Sequence, residues 1–392
     1  MLQKTSTEVM DLPFSVDEYR RRVKGVQEEM KRRGIDVLMV NHLENIYYLS
    51  GFRTIGYYSF MALFVPASGE PVHFARLIEK TTLQGTSWIQ NRELYPDTEN
   101  YGDATIRVIN QKGWAGSRIG IDKSAWYLTI DDYERLKTAF PKATMVDGSM
   151  IVENLRLIKS PAEQNYSRQA GKAASEGMRA SIAALRAGIT EDDLMAAAYQ
   201  GLFKMHSEYP GLPPLINAGV RHTMAHAMAE GHPVNDGDAV YFEVGASIKR
   251  YHAATLRIGF VGTPPKLFHD LTDLCRRSID AGLAQMKPGN PAELVDKAAR
   301  KVIVDGGYGD KFRHKAGYSI GIALPPDWSE ARTMMLRGGE TRPLQPGMVY
   351  HFLPAVFEYK EYGVGLSETV LVTESGYEIL TDVEQKLFVV KP

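Results

Sequence analysis

Apolar and polar positions along the chain fall into two textures that change near residue 158. The first begins with helical spacing from Val16 to Arg33, where Ser15 is placed to cap the helix and Gly34 to end it. The short apolar run DVLMV (36–40) has the pattern of a buried strand. FMALFVP (60–66) and EPVHFAR (70–76) read as two more strands around an SGE turn. RIGID (118–122) adds another strand, and TIDDYERLKTAF (129–140) a helix. Interleaved strands and helices predict an α/β domain over residues 1–158.

The second texture starts after the junction ENLRLIKSPAEQ. Ser160 is placed to cap a helix beginning at Pro161, with Glu163 completing a capping box. Helical spacing covers 161–186, 191–208 and 266–284, and β-rich segments lie between and after, with turns at NDGD, RGGE, QPGM and ESGY. This predicts helices on a curved, mostly antiparallel sheet over residues 159–392. In YFEVGASIKRYHAATLRI (241–258) two strands flank a break placed at 245–249. Segments 239–261 and 348–373 both read as hairpins, the pattern an internal duplication leaves.

Composition narrows the function classes. Lys plus Arg (46) balance Asp plus Glu (47), so no overall field favours nucleic acid or an anionic membrane. The single cysteine, Cys275, excludes internal disulfides and a cysteine-based zinc cluster and fits a reducing compartment. The first residues lack the apolar core of a signal peptide, and nowhere do 18 apolar residues run uninterrupted. The expectation is a cytoplasmic protein without membrane or nucleic-acid partners.

Histidines cluster in GVRHTMAHAMAEGHPVNDGDAVYFE, where His222, His226 and His232 precede Glu243. His222 and His226 would share a face if the segment were helical, as zinc pairs do. The stretch is rich in breakers and has no acid between the two histidines, so no metal and no cofactor are expected here. Glu243 and Glu368 each sit within apolar strand sequence, where an unpaired charge is costly.

The order His226, Asp238, Glu243, then RYH and Arg257, resembles the creatinase/prolidase/methionine aminopeptidase superfamily, peptidase family M24. The resemblance spans most of the chain and implies an α/β N-terminal domain followed by an α+β pita-bread C-terminal domain. Peptidases of that family hold two metals with Asp, a second Asp eleven residues on, His, Glu and Glu. Those positions fall here on Glu243, Ala254, Tyr318, Leu353 and Glu368. Ala254 and Leu353 offer no donor atom, and a neutral tyrosine is a poor ligand for hard divalent ions. FEVGASIKRYHAATLR, the PPDW element, PGMVYHF and LSETVLVTESG are similar to metal-independent, ectoine hydrolase-like members. The two cation-binding glutamates of creatinase-like members would fall on Leu256 and Leu353.

The resemblance implies hydrolysis of a C–N bond in a small cationic or zwitterionic solute. His226, Glu243 and Glu368 are the catalytic candidates, because such a reaction needs a proton carrier and a carboxylate that attacks or activates water. Tyr58, His222, His252, Arg257, Tyr318, Asp327, Trp328 and His351 are the candidates for substrate contact. Arg257, His252 and His351 suit a substrate carboxylate. The family further implies a homodimer whose N-terminal domain covers the partner's site, with Arg53, Tyr57 and Tyr58 as contacts. Two other readings stand beside this one: a metal-dependent Xaa-Pro dipeptidase or aminopeptidase, and a non-catalytic pita-bread binding module.

Overall fold

A computed structural model describes residues 11–125, 127–330 and 333–392. The chain forms two compact units, Met1–Arg156 and Leu157–Pro392. No helix among the described residues is long and apolar enough to cross a membrane.

In the first unit the helix Val16–Arg33 starts where Ser15 accepts the Glu18 N–H and stops where Gly34 turns left-handed at φ 63°. Six strands follow: β1 (Val37–Val40), β2 (Ala62–Pro66), β3 (Val72–Arg76), β4 (Arg92–Tyr95), β5 (Arg118–Ile121) and β6 (Thr144–Asp147). They form one sheet in the order β4-β3-β2-β1-β5-β6. Strands β1, β5 and β6 are parallel, and β2 runs against both β1 and β3. All four residues of β1 are buried, which is why DVLMV shows no alternation.

The second unit opens with the helix Pro161–Ala184, whose Ser160–Glu163 capping box forms as the sequence requires. Helices Glu191–Lys204, Lys266–Leu283 and Glu293–Asp305 follow. The second of the predicted helices ends four residues early because the chain turns left-handed at His206, φ 59°. Strands β7 (Leu215–Ala218), β8 (Ala239–Ile248) and β9 (Tyr251–Val261) lie between the first and second of these three helices. After them are β10 (Gly317–Ser319), β11 (Met335–Leu336), β12 (Val349–Phe352), β13 (Ala355–Glu358), β14 (Tyr362–Gly365), β15 (Glu368–Thr373), β16 (Gly376–Ile379) and β17 (Leu387–Val390).

Two sheets result, β17-β9-β8-β7 and β11-β10-β12-β15-β16, with β13 and β14 as a separate hairpin. Single bridges from Leu256 to Ser367 and from Tyr251 to Ile322 join the larger two. Strand β8 is buried on both faces: Tyr241 packs with Leu256 and Ile258, while Phe242 and Val244 pack with Ala173 and Leu194.

The break expected over 245–249 lies later. Strand β8 continues to Ile248, and Lys249 and Arg250 make the turn at φ 47° and 63°. Such a two-residue hairpin turn ordinarily takes glycine or asparagine. Here the Arg250 guanidinium fixes it by donating to the Ala323 and Tyr209 carbonyls at 2.7–3.0 Å. Gly245 is instead a packing residue: a Cβ there would meet the Trp328 ring at 2.4 Å. The second predicted hairpin is likewise more elaborate, since β12 pairs with β15 around the inserted hairpin of β13 and β14.

Candidate active site

Strand register places the candidates. Glu243 on β8 lies opposite Leu215 of β7 and Leu256 of β9, with Tyr241 two residues back on the same face. Its side chain is buried, and Tyr241 Oη donates to Oε2 at 2.7 Å. Oε1 has no hydrogen-bond partner among the described residues. Burial pushes the carboxyl up to about 7, against the hydrogen bond from Tyr241, which lowers it. A carboxyl poised there exchanges protons readily near neutral pH.

Tyr318 on β10 stands directly opposite His351 on β12. Its hydroxyl receives the Trp328 indole N–H at 2.9 Å and lies 2.8 Å from His351 Nδ1. His351 Nε2 is 2.6 Å from Ser367 Oγ. Because the indole can only donate, the network assigns the Tyr318 proton to Nδ1 and the imidazole N–H to Ser367. Burial lowers His351 to about 3, so the ring is neutral. Burial, then the nearby Glu243 charge, hold Tyr318 protonated.

Three of the candidates are engaged with other groups of the protein. Arg257, a candidate for a substrate carboxylate, has its five N–H groups all engaged inside the protein. Nε donates to the Glu384 carbonyl, Nη1 to those of Leu256 and Ser367, and Nη2 to the Val383 carbonyl and Glu368 Oε1. His252 is occupied in the same way: Nε2 accepts the Gly211 N–H at 2.9 Å, and Nδ1 donates to the Arg250 and Gly321 carbonyls. Burial lowers it to about 3. Glu368, a candidate catalytic carboxylate, is the counter-ion of Arg257, with Gln385 on Oε1 and Thr381 on Oε2. Burial raises its pKa, and Arg257 opposes that rise.

The remaining candidates scatter. His226 is exposed in the turns after residues 219–223, with no hydrogen bond or ion pair among the described residues. His222 is buried, with Nδ1 2.5 Å from the Gly219 carbonyl, Nε2 unpartnered among the described residues, and its ring against Phe268. Asp327 accepts the Ser329 N–H and hydroxyl, and Trp328 closes the apolar wall around Ala254. Tyr58 belongs to the first unit and is exposed.

One residue escaped the sequence reading. Asn217 on β7 faces Tyr241 across the strands and is fully buried, and neither amide atom has a partner among the described residues. The register of β7 against β8 is what reveals it, and a single strand's pattern does not carry that information.

The five positions that the resemblance marks as metal ligands fit a metal pair poorly. Ala254 lies in an apolar cluster with Ile320, Trp328 and Val349. Tyr318 is protonated and tied to His351, Leu353 brings no donor, and Glu368 is consumed by Arg257. Glu243 alone keeps an available oxygen, whereas two bridged cations ~3.5–4 Å apart require shared carboxylates.

Comparison with known proteins gives concordant matches for both units. The metallopeptidase family M24 matches residues 165–374, and the creatinase/prolidase N-terminal domain matches residues 22–158. Ectoine hydrolase of Halomonas elongata is 31% identical over 97% of this chain and 99% of its own length. The Xaa-Pro dipeptidase of Pyrococcus horikoshii is 25% identical over 95% of this chain and 100% of its own. Among solved structures, recombinant prolidase from Thermococcus sibiricus superposes with a TM-score of 0.87 at 22% identity, covering 96% of this chain and all of that one, a likeness of fold.

Proposed function

The chain belongs to the metallopeptidase family M24 and is a hydrolase acting on C–N bonds, and we propose that it cleaves such a bond in a small cationic or zwitterionic solute without the family's metal pair. The observation that supports this most is Glu243. It is a buried carboxyl near neutrality with, among the described residues, one free oxygen and no positive charge beside it, Arg257 being spent on Glu368. A cationic amidine or guanidine supplies the missing counter-charge and stabilises the carboxylate form.

In this reading Glu243 takes a proton from water as the water oxygen bonds to the substrate carbon. It then returns that proton to the nitrogen as the C–N bond breaks. The Trp328–Tyr318–His351–Ser367 chain fixes the Tyr318 hydroxyl, which would polarise the substrate in place of a metal. The exposed His226 is the second proton carrier. A homodimer, with Tyr58 of one subunit offered to its partner, belongs to the same reading.

The Xaa-Pro dipeptidase reading is supported by the relative from Pyrococcus horikoshii and by carboxylates, Glu243 and Glu368, at two of the positions the resemblance marks as ligands. Turnover of ectoine, creatine and a Xaa-Pro dipeptide by chelator-treated protein separates the two. The expected result is chelator-resistant hydrolysis of a solute, abolished in Glu243→Gln. Dipeptide cleavage that needs added metal overturns the proposal, and ligand binding without turnover identifies a binding module.

A further inference from the structure

The first unit carries a polar cluster that the proposed reaction does not use. His42 follows β1 after one residue and Asp122 follows β5 directly, and these strands are parallel neighbours. Their carboxyl ends therefore deliver both side chains to one edge of the sheet, the edge where open α/β sheets bind ligands. Glu153, on the helix Ile151–Arg156, comes to the same place. One ligand atom from each of the three lies within 4.8 Å of the other two. His42 is 9% exposed, Asp122 3% and Glu153 6%.

The bonds around the cluster hold these groups without saturating them. Asp122 Oδ1 accepts the Ser124 N–H and hydroxyl at 3.2 and 2.8 Å, and that hydroxyl is 3.4 Å from His42 Nε2. Asp122 Oδ2 has no hydrogen bond among the described residues and faces His42 Nε2 at 3.8 Å. Glu153 Oε1, 4.0 Å from Nε2, is oriented by Asn45 Nδ2 at 2.8 Å. Asn45 is in turn held by Arg156 at 2.7 Å. On the far side of the ring, Glu44 Oε2 lies 3.8 Å from Nδ1. A carboxylate behind an imidazole whose other nitrogen faces two more carboxylates is the arrangement that supports a metal-bound histidine.

We propose that His42 Nε2, Asp122 Oδ2 and Glu153 Oε1 bind one first-row divalent cation of the Zn2+ or Mn2+ type, with Glu44 orienting the histidine. Three carboxylates here face, among the described residues, at most two positive groups, a protonated His42 and Arg156, and buried negative charge of that kind calls for a cation. An imidazole among the ligands disfavours Mg2+ and Ca2+, and the absence of thiolate disfavours softer ions. The two separations from His42 Nε2, 3.8 and 4.0 Å, need to contract by about half an ångström to reach the edge of a tetrahedron with metal–ligand bonds of ~2.0–2.2 Å, and the two carboxylate oxygens, within 4.8 Å of each other, close on the ion with them.

The site is tested on the full chain, stripped with chelator and dialysed separately against Zn2+ and Mn2+, with bound metal measured by mass spectrometry. About one ion per chain is expected in the wild type and in Glu243→Gln, and none in His42→Gln or Asp122→Asn. Glu44→Gln should weaken binding by about 10- to 100-fold. No ion in the wild type, an ion retained in His42→Gln, or an ion lost in Glu243→Gln overturns the proposal. If Asp122→Asn does not fold, the magnetic resonance spectrum of wild-type protein loaded with Mn2+ decides: coupling to one imidazole nitrogen is expected, and its absence refutes the assignment. Because the binding readout is metal content rather than turnover, failure here leaves the hydrolase reading untouched. Solute hydrolysis is accordingly assayed in the His42→Gln background as well.

Discussion

Arg257 Nη2 meets Glu368 Oε1 at 2.6 Å with both side chains withdrawn from solvent, and this pair locks β9 to the start of β15. The first prediction concerns stability. Glu368→Gln leaves the guanidinium buried among carbonyl oxygens without its counter-charge. The expected cost is about 3–5 kcal/mol in chemical denaturation. A loss under 1 kcal/mol would show that the pair is not the structural lock described.

The carboxyl of Glu243 gives a pH prediction. Its folded value of about 7 exceeds the ordinary 4.5, so the folded protein holds this proton more tightly than the unfolded chain. The resulting stability is fully present below pH 4.5 and is lost as pH rises through 7. At pH 8 Glu243→Gln should therefore be more stable than wild type by roughly 3 kcal/mol, a difference that vanishes near pH 4. Denaturation of both proteins at several pH values checks this, and parallel curves contradict it. In the hydrolase reading the same group makes kcat/KM rise through about pH 7, and Tyr241→Phe, which removes the hydrogen bond favouring the carboxylate, moves that limb upward.

Gly245 and Trp328 give a packing prediction. In Gly245→Ala the new methyl would stand 2.4 Å from the indole, so the ring must move, releasing its bond to Tyr318. Overpacking of this kind costs about 1–3 kcal/mol. The measurement is thermal unfolding together with tryptophan emission, and an unshifted spectrum with unchanged stability would mean that the wall yields freely.

Much of the framework was legible along the chain, because its signals are local. Ser160, Pro161 and Glu163 announce their helix within four residues, and the unbroken apolar run of DVLMV marks a strand covered on both faces. The site was less legible, since the fate of each polar group there depends on distant backbone. Arg257 is exhausted by carbonyls of residues 367, 383 and 384, and His252 by Gly211 and Gly321. Nothing within the strand YHAATLRI forecasts those partners. Gly245 misled for a related reason: its missing side chain serves a ring 83 residues away rather than the adjacent turn. His42, Asp122 and Glu153 are likewise far apart in sequence and meet only because β1 and β5 are parallel neighbours.

Ala254 sharpens the question of whether the metal-site frame persists. Ala254→Asp restores one carboxylate of the ligand pattern but places it among Ile320, Trp328 and Val349, in a wholly buried position. With Tyr318 protonated, Leu353 apolar and Glu368 held by Arg257, only Glu243 is left to join the new carboxylate, too few ligands to hold a cation pair. The substitution should destabilise the protein by at least about 2 kcal/mol. Added Mn2+ should then raise its melting temperature no more than it raises that of wild type, whose response belongs to the first unit. A rescue specific to Ala254→Asp would instead show that the cavity still assembles a metal centre, and would favour the dipeptidase reading over the metal-independent one.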